Sequence, residues 1–295
     1  MILLWGDLAD RPFASVVLEL SRLGAAFVTL TPRELEDAEV RLSVGGGLDG
    51  ELRVGGRAYP LAGFAAAYLR PIEPESVAPG TRLPTARLVA ALLAWADVAP
   101  GRVVNRPSAM AANDSKPFQA RQIRAAGFAT PATLITTSPE AVREFRRRGP
   151  LIYKSISGVR SIVSRLGPEQ EAYLGDVTHC PTMFQEYVPG VDHRVHVVGD
   201  ELFSCRVVSS ADDYRYPRAG DERTRIEAVE LDTTVAARIR GMVRAMDMSL
   251  AGVDLRRTPE GRWYCFEVNP SPAFSYFAQA TGQPIAYAIA RLLAG

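Results

Sequence analysis

Residues 266–274 read FEVNPSPAF, an apolar run that carries an acid at Glu267 and an amide at Asn269 before two prolines end it. The stretch before it, GVDLRRTPEGRWYCFEVNP at 252–270, places Thr258-Pro259-Glu260-Gly261 between two apolar segments and reads as a β-hairpin. If Thr258 pairs with Gly261, Asp254 falls opposite Cys265 and shares a face with Glu267 and Asn269. Val253, Leu255, Tyr264, Phe266 and Val268 then form the opposite, core-facing side. Glu267 and Asn269 would stand roughly 7 Å apart along the strand, and two-ion sites space their metals about 3.5–4 Å apart. Oxygen donors suit hard cations, and no His or Cys cluster competes for the role, so the pattern favours magnesium over zinc. On pattern alone an ordinary solvated polar face remains the alternative.

Composition narrows the classes. The 295 residues suffice for one large domain or two to three small ones, and 47% hydrophobic with 23% charged residues describes a soluble globular chain. A net charge of +1 gives no overall steering toward nucleic acid or an anionic membrane. Cys180, Cys205 and Cys265 are odd in number and unremarkably spaced, which points to reduced thiols in a cytoplasmic protein. The opening MILLWGDLAD has no basic segment and is not read as a secretory signal, and the apolar runs LAGFAAAYL and LVAALLAWADVA are too short to span a bilayer. Richness in Ala and Arg suggests a bacterial genome.

Along the chain, ILLWG, FASVVLELSRLG and AFVTL read as strand, helix and strand, a βαβ opening with a parallel sheet. VGGGLDGELRVGGRAYPL looks like a glycine-punctuated hairpin, FAAAYLR like a returning strand, and 82–99 like a helix before RVVN. A boundary falls near Pro107. Beyond it, NDSKPFQARQIRAAGF is a helix capped by Asp114 or Ser115, TLITT a strand, and SPEAVREFRRRG a helix begun by Ser138 and Pro139. The Arg146–Arg148 run sits in that helix's last turn, where cations suit the dipole, and is read as solvated structure. LIYKSI, SIVSRL, TMFQEYV, HRVHVV and ELFSCRVV suggest antiparallel sheet. A capped amphipathic helix, DTTVAARIRGMVRAMDM, precedes the hairpin, and YAIARLLAG closes the chain as a helix.

Lys154 lies within a short apolar strand and is followed by SISGVRS, so it either snorkels at an edge or meets phosphate oxygens together with Ser155, Ser157 and Ser161. QEYVPGVDHR carries Glu186 and, past a Pro-Gly turn, Asp192, acceptors suited to a ribose beside strand backbone that can bond a purine edge. His193 and His196 fall on opposite strand faces and make a poor metal pair, and His179 has no partner in the sequence. DYRYPRAGDER gathers Arg215, Arg218 and Arg223 in an irregular segment, either a solvated loop or, favoured by the neighbouring strands, a lid that brings arginine to a carboxylate or phosphate.

The order of helix lysine, strand lysine with its loop, QEYV, Asp-x-Arg, Arg-rich loop, GVD and EVNPSP resembles the ATP-grasp superfamily, and within it the RimK-type carboxylate–amine ligases and their peptide-modifying relatives. The resemblance implies an α/β (α+β) chain: a Rossmann-like pre-grasp domain at 1–106, a central subdomain at 107–184 and a C-terminal subdomain at 185–295 that clasp ATP between two sheets. It implies Lys116 and Lys154 on ATP phosphates, Glu186, Tyr187 and Val188 along the adenine, and Asp192 on the ribose. Asp254, Glu267 and Asn269 would bind two Mg2+ ions, with Mn2+ as a substitute, and Arg215 would lie near the reacting phosphate or acceptor carboxylate. Two departures stand out: the loop after Lys154 carries Arg160 where a small residue is usual, facing the γ-phosphate or an acidic substrate or narrowing the pocket, and NPSPA lacks the glycine that often follows the proline. The implied reaction makes an acyl phosphate and ADP, then an amide by amine attack, with no side-chain nucleophile. Its substrates would be an amino acid, peptide or protein tail, and homo-oligomers are common in the family. The rivals are a kinase-like phosphotransferase and a nucleotide-binding scaffold without turnover.

Overall fold

A computed structural model of the chain describes residues 1–44, 48–71, 82–156, 163–209 and 224–295. The βαβ opening forms as the alternation predicts: β1 (Ile2–Trp5), α1 (Arg11–Arg22) and β2 (Phe27–Leu30), with Ile2 opposite Phe27 in parallel register. α1 has Pro12 in its first turn and buries Pro12, Phe13, Val16 and Leu20 along one side. After α2 (Pro32–Glu36), β3 (Glu39–Val44), β4 (Leu48–Val54) and β5 (Arg57–Pro60) make a three-stranded antiparallel sheet. The sequence pattern anticipated only its glycine-rich hairpin. β6 (Ala66–Leu69), α3 (Arg82–Val98) and β7 (Arg102–Val104) complete a parallel sheet in the order β2-β1-β6-β7.

α4 (Pro107–Met110) and α5 (Lys116–Ala125) lead into an antiparallel sheet ordered β10-β9-β11-β8. It contains β8 (Thr133–Thr136), β9 (Leu151–Ser155), β10 (Ser164–Arg165) and β11 (Thr182–Glu186), with α6 (Pro139–Arg146) and α7 (Pro168–Glu171) between strands. Val142, Phe145, Leu151, Leu166 and Phe184 form its core. Ser138 caps α6 by accepting from the Ala141 N–H, whereas Ser115 stands at the start of α5 without a side-chain cap bond. Arg143 and Arg147 pair with Glu140 and Glu144 on the exposed side of α6; of the arginine run read as solvated, Arg147 and Arg148 are exposed and Arg146 is half-buried.

The third sheet runs β14-β13-β12-β15-β16 and is antiparallel throughout. Its strands are β12 (Val191–Val198), β13 (Glu201–Val208), β14 (Arg225–Ala228), β15 (Leu250–Arg257) and β16 (Trp263–Asn269). α8 (Thr233–Ala245), capped by Asp232, covers one face with Ile239, Met242 and Val243 against Val195, Val253 and Val268. α9 (Ser275–Thr281), unforeseen in the sequence, and α10 (Ile285–Ala294) follow the NPSP turn. Ile285, Ile289 and Leu293 of α10 are buried with Ile2, Leu4, Tyr68 and Val104 of the parallel sheet. Three such side chains removed from water contribute roughly 5 kcal/mol or more, enough to hold the first and third sheets in one core. Among the described residues no helix is long and apolar enough to cross a membrane.

Asn105, directly after β7, ties these parts together. Its buried amide donates to the carbonyls of Leu250 and Pro270, both at 2.6 Å, and its oxygen accepts from the N–H groups of Ser249 (2.8 Å) and Leu250 (3.1 Å). One side chain thereby fixes both the start of β15 and the turn that ends β16. Asn105→Ala would orphan three buried backbone groups and a half-buried one and is expected to lower the unfolding free energy by at least about 3 kcal/mol, read as a shifted urea midpoint at unchanged slope.

Candidate functional site

The hairpin that carries Asp254, Glu267 and Asn269 forms, but in a different register from the expected one. The Thr258–Gly261 turn forms, the Gly261 N–H donating to the Thr258 carbonyl (2.9 Å), but the Thr258 N–H bonds the Arg262 carbonyl (2.9 Å) across a left-handed Gly261 (φ 83°), so the ladder resumes one residue later than expected. A bulge then leaves Phe266 without a cross-strand partner: Leu255 faces Cys265, and Asp254 faces Glu267 instead of Cys265. A bulge exchanges the inside and outside positions beyond it. Cys265 therefore joins Val253, Leu255 and Val268 in the core, while Tyr264 and Phe266, expected inside, are only half-buried.

Two carboxylates thus stand directly opposite each other on neighbouring strands, an arrangement that is unfavourable without positive charge. Arg194 supplies it on one side. It lies opposite Asp254 on β12, is 6% exposed, and donates from Nη1 to Asp254 Oδ1 at 2.6 Å. Lys116 supplies it on the other, donating from Nζ to Glu267 Oε1 at 2.7 Å and to Asn113 Oδ1 at 3.2 Å. Across the sheet the charges run plus, minus, minus, plus. Burial pushes the Glu267 carboxyl pKa upward, but Lys116, with further help from Lys154 and Arg194, outweighs it and holds the group below the usual carboxylate value.

Both cations are placed by backbone features. A Cβ on Gly252 would come within 2.1 Å of Arg194 Nη2 and 2.6 Å of its Cζ, so the guanidinium can lie across the strand only over a glycine. Gln119, one turn beyond Lys116 on α5, donates to the Val268 carbonyl (2.8 Å) and accepts from the Val268 N–H (3.1 Å). It bonds the outer edge of β16 as a further strand would. Ala129 does the same at Trp263 and Cys265. Lys116 and Gln119 share a helix face, so this docking delivers the lysine to Glu267.

Asn269 lies two residues along, opposite Gly252, and its Oδ1 accepts from the Ser271 N–H at 2.8 Å. Among the described residues no three His, Cys, Asp or Glu side chains group to hold a metal. Asp254, Glu267 and the Asn269 amide nevertheless offer hard oxygen donors on one sheet face, Arg194 meeting Asp254 at Oδ1 and Lys116 meeting Glu267 at Oε1. That donor set fits magnesium.

On the neighbouring sheet, Lys154 sits on β9 opposite Met183, and its charge reaches Glu267. Glu186 ends β11 opposite Leu151; Tyr187 donates its N–H to the Pro150 carbonyl and lies under the Arg165 guanidinium at 4.1 Å; Val188 is buried. Asp192 is gripped by Arg256, whose Nε and Nη2 donate to its two oxygens at 2.7 and 2.8 Å and whose Nη1 donates to the Val188 carbonyl at 2.8 Å. Arg160 and Arg215, together with Arg218 and Arg223, lie outside the described residues. Arg256 and Gln119 were not anticipated, and Arg194 was noted only within Asp-x-Arg. Cross-strand alignment of β12 with β15 is the signal that places Arg194 and Arg256 beside acids.

The sequence profile of the RimK-like ATP-grasp domain matches residues 115–293. Among solved structures, the ATP-grasp ligase PsnB complexed with a phosphomimetic variant of its minimal precursor, Mg and ADP is 27% identical, with a TM-score of 0.83 over 99% of this chain and 97% of that one. The macrocyclase MdnC of Microcystis aeruginosa MRC, bound with precursor peptide MdnA, is 20% identical with a TM-score of 0.81 over 99% of each chain. A Chryseobacterium gregarium RiPP-associated ATP-grasp ligase, in complex with ADP and a leader and core peptide, is 17% identical with a TM-score of 0.78 over 99% of this chain and 96% of that one. Among curated proteins, none matches the sequence.

Two outcomes follow from the charge row. Because the Glu267 pKa is lower in the folded state than its unfolded value of 4.5, the stability it contributes is present above that value and lost as pH falls through the folded pKa. Glu267→Gln is therefore expected to flatten the decline of unfolding free energy below about pH 4.5, measured by urea titrations at successive pH values; an unaltered slope would contradict the Lys116 pairing. Gly252→Ala should displace Arg194 and cost about 2–4 kcal/mol, whereas Gly241→Ala, on a helix with nothing near its Cβ position, should cost nothing.

Proposed function

Because the chain belongs to the RimK-like ATP-grasp domain family, we propose that it is an ATP-dependent ligase joining a carboxylate to an amine, with a peptide as substrate. The observation that carries this is the row Arg194, Asp254, Glu267, Lys116, with Lys154 acting on it from the second sheet. A cluster of two acids and three cations suits a polyanion that arrives with a divalent metal. The peptide is supported by the bound precursors of PsnB and MdnC. Magnesium and ADP accompany PsnB, which supports ATP with Mg2+ here.

In this reading Asp254, Glu267 and Asn269 would hold Mg2+, which would supply charge neutralisation at the phosphates. Lys116 and Lys154 stabilise charge on the transferred phosphoryl group. The backbone of Glu186–Val188 lines the purine. Arg256 fixes Asp192 by both oxygens, each keeping a second lone pair for a ribose hydroxyl. Chemically, a substrate carboxylate oxygen attacks the γ-phosphorus, ADP leaves, and an acyl phosphate forms. The amine nitrogen then attacks the acyl carbon, phosphate leaves, and the nitrogen gives up its proton. We retain 1–106, 107–184 and 185–295 as the proposed domain division, with 109–128 contributing to the core of the third sheet.

The test is ATP consumption with Mg2+ across amino acids and peptides encoded beside the gene, with products read by mass spectrometry. Substrate-dependent ADP and phosphate, with a product lighter by one water than its parts, is expected. Asp254→Asn should lower kcat/KM by about 10²–10³-fold, the scale for removing one charge-stabilising group. Release of AMP would overturn the acyl-phosphate route, and a stable phosphorylated product formed without any amine would make the protein a phosphotransferase.

A further inference from the structure

His196 lies two residues beyond Arg194 on β12, so both side chains leave the same face of the sheet, and it is fully buried. Its ring packs against Phe274 and Phe277, with centroids 6.4 and 5.2 Å away. Nε2 lies 3.4 Å from Arg194 Nε, whose N–H points at it, and 3.4 Å from the Ala273 carbonyl oxygen. Burial and the neighbouring guanidinium hold the imidazole pKa well below its usual value, so the ring is neutral, with one N–H and one lone pair. Nε2 cannot accept from Arg194 and donate to Ala273 at once. A proton there would set two donors face to face, one of them cationic, for the sake of one carbonyl bond. Nδ1 has no hydrogen-bond partner among the described residues, so the Nδ1–H tautomer leaves a buried donor unmet, a cost that the contact with the Arg194 guanidinium must outweigh.

We propose that His196 is a positioning residue: through its Nε2 lone pair it holds the Arg194 guanidinium against Asp254, so that a divalent cation would have to compete with the arginine for that carboxylate. The role of Asp254 as a metal ligand rests on the function proposed above; the histidine–arginine contact does not. The other walls of the slot fit the same role. Gly252 leaves room for the guanidinium on one side, and the Phe277 ring lies 5.7 Å from its carbon on another. These walls confine the guanidinium sideways, and His196 offers an acceptor to its Nε. A phenylalanine at 196 would fill the same space and orient nothing.

The chain contains three histidines, so long-range proton–nitrogen spectra of the full-length protein labelled with 15N-histidine give three ring patterns. His179→Gln and His193→Gln assign them by elimination. His196 is expected as the Nδ1–H tautomer at neutral pH; the Nε2–H tautomer would overturn the proposal, and this readout requires neither nucleotide nor activity. The second measurement is binding of Mn2+ alone, by electron paramagnetic resonance, to four proteins: wild type, His196→Phe, Arg194→Ala and the double variant. His196→Phe should tighten Mn2+ by at least about threefold in the wild-type background and leave it unchanged in the Arg194→Ala background, the signature of coupled neighbours. Equal changes in both backgrounds, no change in either, or weaker binding would overturn it. Should the wild type bind no Mn2+, the proposed metal site fails, and the tautomer still decides the positioning role.

Discussion

Two carboxylates that face each other across a strand pair remain ionised together only when positive charge lies within reach. At an effective dielectric near 20, unit charges about 5 Å apart repel by about 3 kcal/mol, a large share of the 5–15 kcal/mol that keeps a domain folded. Asp254 and Glu267 meet this condition through Arg194 and Lys116. The cations come from opposite sides of the hairpin, one from the adjacent strand and one from a helix far back in the chain. The site is consequently assembled by tertiary structure rather than by the hairpin that carries its acids.

Much of the surrounding fold serves that assembly. Gly252 opens the strand for the guanidinium, Gln119 docks α5 on the edge of β16, and Asn105 holds the start of β15 and the turn after β16 at a fixed separation. α10 extends the same core to the parallel sheet, and Arg70 at the end of β6 reaches from that sheet to the Pro272 carbonyl. The NPSP turn is thereby held from both sides. In the proposed function such rigidity has a purpose, since charge-stabilising groups act best when no reorganisation is needed at the moment of reaction.

The large elements were legible in the sequence because they rest on local signals. Periodicity and turn residues located the βαβ opening, the antiparallel runs and α8, and the acid-and-amide pattern of FEVNPSP singled out the strand that carries the candidate site. Register was not legible. The ladder resumes at Arg262 past a left-handed Gly261, and a bulge at Phe266 moves the pairing by one residue more; the glycine marks the first shift, but nothing in RWYCFE marks the second. Arg194, Arg256 and Gln119 owe their roles to partners 60 to 149 residues away, separations at which spacing in one chain carries no information. α9 was hidden for a different reason: it is short, begins right after a proline-rich turn, and depends on Phe277 packing rather than on its own propensity.

The central claim is that the acid pair is tolerated because each acid has its own cation. It is tested most directly by a double-mutant cycle on unfolding free energy with Arg194→Gln, Asp254→Asn and both together. Arg194→Gln alone leaves two facing carboxylates with Lys116 as their remaining direct ion-pair partner among the described residues and should cost about 3 kcal/mol. Adding Asp254→Asn removes the repulsion and should restore at least half of that loss. Additive losses in the double variant would show that Arg194 stabilises the fold by packing alone, and the charge row would then not be what organises this site.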